Sequence, residues 1–298
     1  MIMTFTLLLA NICIHFQDYA PQRLLSTWQW KIDPWKVTDY SKLSQKIERV
    51  NIIRTTAQPV LNEPLSLVCA EQTGFFERRV YCSSTGETQW DFMRSKSNEV
   101  LLRYSVNAEW NKITLLQDNM KTQGTVAFEY IAQIMPGVCL KHGILTLHCA
   151  LVEYNGMSIA ICAPSGTGKT THARLWRDYK NALILNGDRA ICRREEGVWI
   201  AYGSPWSGTS GEQINRHAPL KALVILERAE KNSAIRLEST ELFAGVFPHL
   251  LYPSWDKRML ELAMDQLEDL LLSVPVYRVK CRPEAEAVDI LYQKIWES

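Results

Sequence analysis

The densest chemistry in the sequence is Ala-Pro-Ser-Gly-Thr-Gly-Lys-Thr at 163–170, directly after the apolar run Ser158–Cys162. It fits the phosphate-loop (Walker A) pattern with Ala163 in place of the first glycine. Gly166 and Gly168 let the backbone curl until successive N–H groups converge on phosphate oxygens. A following helix would direct its positive end at the same anion. In such a loop Ser165, Gly166, Thr167, Gly168, Lys169, Thr170 and Thr171 contact the nucleotide. Lys169 bridges the β- and γ-phosphates and the Thr170 hydroxyl ligates a metal ion, so ATP and Mg²⁺ are the expected cofactors.

Phosphoryl transfer also needs a carboxylate beside the metal or the attacking hydroxyl. Asp188 ends the apolar strand Ala182–Asn186, after Gly187, where sheets of this kind carry catalytic acids. Asn186, Gly187 and Asp188 would equally make an ordinary turn, and the residues alone leave both readings open. Arg189, Arg216 and Lys221 are candidates for a cation at the transferring phosphoryl, of which one is expected to serve. The segment Tyr202–Gly211, rich in Gly, Ser and Thr, either closes over the phosphates, with Trp206 as a wall and Ser207 or Thr209 as donors, or simply connects two elements. His172 and Trp176 lie one turn apart on the helix after the loop, facing outward or beside the adenine.

These groups need elements to hold them. Ile144–Glu153 and Met157–Cys162 read as strands joined by Asn155-Gly156, a two-residue hairpin signal, so the loop-bearing strand has an antiparallel neighbour. Further strands are expected at Ala182–Asn186, Val198–Tyr202, Lys221–Glu227 and Val274–Cys281, with helices at about 169–179, 239–250, 256–272 and 284–296. Residues 1–122 read as a β-rich module. Its strands are an apolar opening strand, Ser26–Ile32 with Trp28 and Trp30 on one face, 87–93 with Trp90 and Phe92 on one face, Glu99–Val106 and Lys112–Leu116; a turn is expected at 83–86. One helix at 124–139, with Ala127, Tyr130, Ile131 and Ile134 on its buried face, opens a second domain, 123–298. The fold class is thus α/β with a mixed sheet.

Three stretches resemble the catalytic domain shared by HPr kinase/phosphorylase and phosphoenolpyruvate carboxykinase. The run from His148 to Lys169 is in register with the HPr kinase segment that begins at a histidine and ends at the loop lysine. Ser165–Thr171 looks like the carboxykinase loop, and Asn186–Ala190 falls where both families place paired aspartates, here Gly187 and Asp188. The resemblance covers about residues 140–285. It implies that Asp188 takes the proton from an acceptor hydroxyl, that His148 lies beside it or the γ-phosphate, and that one carboxylate serves as metal ligand, base or both. No oxaloacetate-binding stretch is found, so decarboxylation is not expected. In size and layout the chain is similar to HPr-kinase-like proteins of bacterial peptide-modification clusters, some of which phosphorylate a serine of a lasso-peptide precursor. The implied partners are a nucleotide and a peptide, protein or small-molecule hydroxyl acceptor; related kinases are commonly homo-oligomeric. The alternative is a non-catalytic ATP-binding regulator or scaffold.

Composition sets the remaining bounds. The chain has 298 residues, 47% hydrophobic and 22% charged, with 33 basic against 32 acidic residues, so nothing in its net charge of +1 draws it to nucleic acid or anionic membrane. Eight scattered cysteines without a CxxC pair read as reduced thiols of a cytoplasmic protein. The apolar opening lacks the basic flank of a signal peptide and is too short to span a bilayer. Of ten Trp, five (28, 30, 35, 90 and 110) fall in the first module, where they are expected to offer an acceptor-binding surface as well as core.

Overall fold

The apolar opening of the chain folds as a hairpin. In the computed structural model, which describes residues 2–21, 29–43, 47–55, 63–73, 76–118 and 125–297, β1 (Ile2–Leu9) turns into β2 (Ile12–Pro21) through Ala10 and Asn11, both at positive φ. A two-residue turn of this hand matches the twist of the strands it joins, so the one opening strand expected from sequence is two. With β3 (Glu48–Arg54), β4 (Ser66–Thr73), β5 (Phe76–Cys82), β6 (Thr88–Arg94), β7 (Val100–Val106) and β8 (Lys112–Asp118) they form an eight-stranded sheet, ordered β1-β2-β3-β8-β7-β6-β5-β4. It is mixed, because β3 runs parallel to both β2 and β8.

The aromatic residues fill this unit. Trp35, Trp90 and Trp110 are each 1% exposed, and Trp90 meets Trp110 edge to face. Apolar burial makes these three core and not the surface expected of them, whereas Trp30 is exposed. The strand expected at Ser26–Ile32 is replaced, where described, by helix at 29–32, and Trp28 lies outside the described residues. Ile32 and Trp35, three apart, are the buried positions, the spacing of a helical turn.

The helix expected at 124–139 is two, α1 (Thr125–Ile131) and α2 (Met135–Lys141). Pro136 has no N–H for the carbonyl of Ala132 and its ring collides with it, which ends the first helix. The rings of Phe128 and Tyr130 on α1 pack on Phe16 and Phe92, and the Tyr104 hydroxyl donates to the Ala127 carbonyl at 2.7 Å. These contacts draw both helices into the first unit. The chain divides into Met1–His142 and Gly143–Ser298, rather than at 122/123.

The second unit is a mixed α/β layer structure. β9 (Ile144–Tyr154) and β10 (Met157–Cys162) are antiparallel, joined by Asn155 and Gly156 at positive φ. α3 (Lys169–Lys180) follows, then β11 (Leu183–Asn186), β12 (Arg189–Glu195), β13 (Val198–Tyr202), β14 (His217–Arg228) and β15 (Ser233–Arg236). α4 (Thr240–Val246), a 3-10 turn at Phe247–His249, β16 (Leu250–Leu251), α5 (Lys257–Ser273), β17 (Val276–Cys281) and α6 (Ala285–Trp296) complete it. β10 is antiparallel to β9 yet parallel to β14, which is parallel to β17. The helix expected at 239–250 is cut short, because Pro248 cannot continue its hydrogen bonding.

Trp176, fully buried on α3, packs against Tyr154 and Trp296, so it fixes the helix to the core and to α6. All eight cysteines are free thiols. Among the described residues, no helix is long and apolar enough to cross a membrane.

Candidate phosphoryl-transfer site

The buried strand β10 ends at Cys162, and the chain loops through 163–168 into α3 with Gly166 and Gly168 at φ 75° and 122°. The Lys169 side chain folds back so that Nζ donates to the Ala163 carbonyl at 2.9 Å. Burial holds its pKa below the ordinary lysine range, with the Asp188 carboxylate opposing the shift. Arg228, at the end of β14, donates through Nε to the Thr167 carbonyl at 3.1 Å and through Nη2 to the Gly166 carbonyl. This arginine braces the loop from outside and no sequence pattern singled it out.

Asp188 is placed by β-sheet register. β11 and β12 run antiparallel to β9, with Asn186 opposite Leu151 and Arg189 opposite His148, and Gly187-Asp188 bend between them. The fully buried Asn186 holds that bend. Its Oδ1 accepts from the backbone N–H groups of Asp188 (2.9 Å) and Arg189 (2.8 Å), and its Nδ2 donates to Ser204 and to the Trp206 carbonyl. The trio thus forms the turn, and that turn sets the direction of the Asp188 carboxylate.

His148 lies alongside. Its Nδ1 is 3.1 Å from the Asp188 backbone carbonyl and 3.5 Å from Oδ1. A carbonyl only accepts, so that contact assigns the ring proton to Nδ1 and leaves Nε2 as an acceptor. Burial, and then the Lys169 charge, lower the His148 pKa, against the pull of Asp188. Arg189 Nε sits 3.2 Å from Asp188 Oδ2. Of the three cations considered, Arg189 reaches this site. Arg216 instead pairs with the buried Glu153 at 2.5 Å, and Lys221 lies on β14 near the residues paired with the start of β10.

The 202–211 segment closes the far side. Ser207, Thr209 and Ser210 line a cleft of about 300 Å³ together with His148, Ser165, Gly166, Gly168, Lys169, Thr170, Thr171, Gly187 and Asp188. Thr167 turns to a neighbouring hollow. Trp206 is buried behind the cleft and is not its wall. Two glycines permit the close approach: a Cβ on Gly208 would lie 2.8 Å from the Asp188 carboxyl carbon, and one on Gly187 would lie 2.1 Å from Ser210 Oγ. The space beside the Gly187 Cα is thus filled by Ser210.

A second imidazole, unforeseen in the sequence, lies nearby. β16 pairs Leu250 with Leu147, which brings the preceding His249 next to His148. His249 is buried, and desolvation, with His148 and Lys169 adding, pushes its pKa down to about 4.

Among the described residues no cluster of three or more His, Cys, Asp or Glu could hold a metal by itself. Thr170 and Asp188, the one carboxylate that lines the cleft, are donors that would suit Mg²⁺ completed by substrate phosphates and water.

No protein-family profile matches the chain, and no curated protein matches it. Among solved structures, the HPr(Ser) kinase/phosphatase from Coxiella burnetii is similar over 51% of this chain and 88% of its own, at 14% identity and a TM-score of 0.30.

Proposed function

We propose that the chain is an ATP- and Mg²⁺-dependent kinase that transfers the γ-phosphoryl of ATP to a hydroxyl, the serine of a peptide or protein or a small-molecule alcohol. The observation that supports this best is the convergence of the phosphate loop, Lys169, Thr170, Asp188 and His148 on one cleft. The loop amides and Lys169 bind the phosphates, and Lys169 leaves the Ala163 carbonyl to meet them. Thr170 and Asp188 would hold Mg²⁺, which when bound neutralises charge on the β- and γ-phosphates. The acceptor oxygen forms a bond to the γ-phosphorus as the bond to the β–γ bridging oxygen breaks, ADP leaves, and Asp188 receives the hydroxyl proton. His148, neutral and donating from Nδ1, orients the Asp188 backbone. Arg189 steadies the carboxylate from its other side. Thr209 supplies a hydroxyl where the acceptor would enter, while the buried Ser207 donates to Gln213 Oε1 at 3.0 Å.

The test is incubation of the full chain with ATP, Mg²⁺ and panels of serine peptides, proteins and small alcohols, read by mass spectrometry. Phosphorylated product from the wild type, and transfer slowed about 10²–10⁴-fold in Asp188→Asn, are expected. Tight ATP binding without transfer to any acceptor class would instead make the chain a non-catalytic ATP-binding regulator.

A further inference from the structure

Next to the phosphate cleft, a hollow of about 390 Å³ opens between the start of α3 and the C-terminal ends of the parallel strands β14 and β17. Ligands of α/β sheets favour that edge, and the size falls within the roughly 300–1,000 Å³ of small-molecule pockets. Leu226, Ala229, Cys281 and Pro283 give it an apolar lining, and Thr171 links it to the phosphate loop. Arg228 also lines it, with its guanidinium plane fixed by the carbonyls of Thr167 and Gly166. A fixed guanidinium is a ready stacking surface for a flat heterocycle.

His172 is the residue in this hollow that packing does not explain. It is 2% exposed, it lines the hollow, and neither ring nitrogen has a hydrogen-bond partner among the described residues. A neutral imidazole offers one N–H donor and one acceptor, and here both go unused. A buried polar pair left idle opposes folding. Its helix neighbours Ala173 and Trp176 belong to the apolar core, and an apolar side chain at 172 would pack without that penalty.

We infer that the hollow takes the base of the nucleotide whose phosphates occupy the loop, and that His172 makes the polar contact to the edge of that base. This rests on the nucleotide reading of the phosphate loop. The base lies against the Arg228 plane and the apolar wall, and a rotation of the imidazole about its Cβ–Cγ bond presents one nitrogen to the base. His172 is then a residue of nucleotide selection, one turn beyond the loop that binds the phosphates.

Calorimetric titration of the full chain in Mg²⁺ with ATP and with inorganic tripolyphosphate, which has no base, separates the two claims. Wild type is expected to bind ATP more tightly than tripolyphosphate. His172→Leu should weaken ATP about tenfold and leave tripolyphosphate unchanged, and His172→Asn should recover part of the loss. Unchanged ATP affinity in His172→Leu overturns the base contact alone, whereas a wild type that binds neither probe overturns the nucleotide reading. A measurement on the wild type covers failure of the variants to fold: the ¹⁵N resonances of the His172 ring should move on adding MgATP and stay put with tripolyphosphate. No difference between the two ligands rejects the inference.

Discussion

His148 and Asp188 meet through a backbone contact that is closer than their side-chain contact: Nδ1 of the imidazole is 3.1 Å from the Asp188 carbonyl and 3.5 Å from its carboxylate. The carboxylate therefore keeps lone pairs free toward the cleft. Asp188→Asn preserves the shape and removes the proton acceptor, so transfer should fall by about 10²–10⁴-fold while ATP affinity changes little. Mass-spectrometric product assays and calorimetry check the two halves.

The same pair gives a pH profile. Burial and Lys169 hold the His148 pKa below its ordinary value, so the ring stays neutral through that range and gains a proton only in more acid solution. The rate is expected to fall on the acid side, below the ordinary imidazole pKa, and His148→Gln should change the shape of that limb. A limb centred on the ordinary value would contradict the burial argument.

In the proposed reaction Lys169 is the charge that meets the phosphates. Lys169→Ala removes a charge-assisted contact, which should weaken ATP binding about 10–100-fold, measured by calorimetry. The Ala163 carbonyl loses its donor in the same variant.

Gly187 tests how closely Ser210 packs on the turn before Asp188. A Cβ there would meet both Oγ (2.1 Å) and Cβ (2.6 Å) of Ser210, so rotating the serine does not clear the clash. Gly187→Asp should cost about 1–3 kcal/mol, seen as a lower melting temperature, and Ser210→Gly in the same chain should restore part of it.

Asn186 positions Asp188 without facing the phosphates. Its replacement by Ala orphans two backbone N–H groups and the buried Ser204 side, costing about 3 kcal/mol. In a phosphoryl-transfer assay kcat should drop more than ATP affinity, because the carboxylate loses its aim and the loop does not.

Acid stability reports His172. Its folded pKa of about 4 lies below the unfolded value near 6.5, so its contribution is whole above pH 6.5 and is lost as pH falls toward 4, where only the unfolded chain takes the proton. The loss approaches about 3 kcal/mol. Urea unfolding at pH 7 and pH 4.5 measures it, and His172→Leu should flatten the slope.

The local grammar of the second unit was legible. Asn155-Gly156 specified an antiparallel partner for the loop strand because both residues accept positive φ, and 163–170 specified a loop between a buried strand and a helix. β12 was not read, although Glu196-Gly197 at its end is a two-residue turn at positive φ. Its Arg189, Arg193, Arg194 and Glu195 masked the short buried run Ala190, Ile191 and Cys192. Breaks at Pro136 and Pro248 were also written in the chain and outweighed by the apolar periodicity around them.

The sequence by itself determined that a glycine-containing loop, one lysine and one threonine hydroxyl would stand between a buried strand and a helix, since spacing within eight residues and glycine freedom suffice for that. Only the tertiary structure decided which distant groups join them. Register along β9 brings Asp188, Arg189 and His249 to His148, Ser210 occupies the space beside Gly187, Arg216 is claimed by Glu153, and three of the five N-terminal tryptophans are spent on core. Those choices depend on pairings between residues roughly 20 to 100 positions apart, for which the local pattern of a strand carries no address.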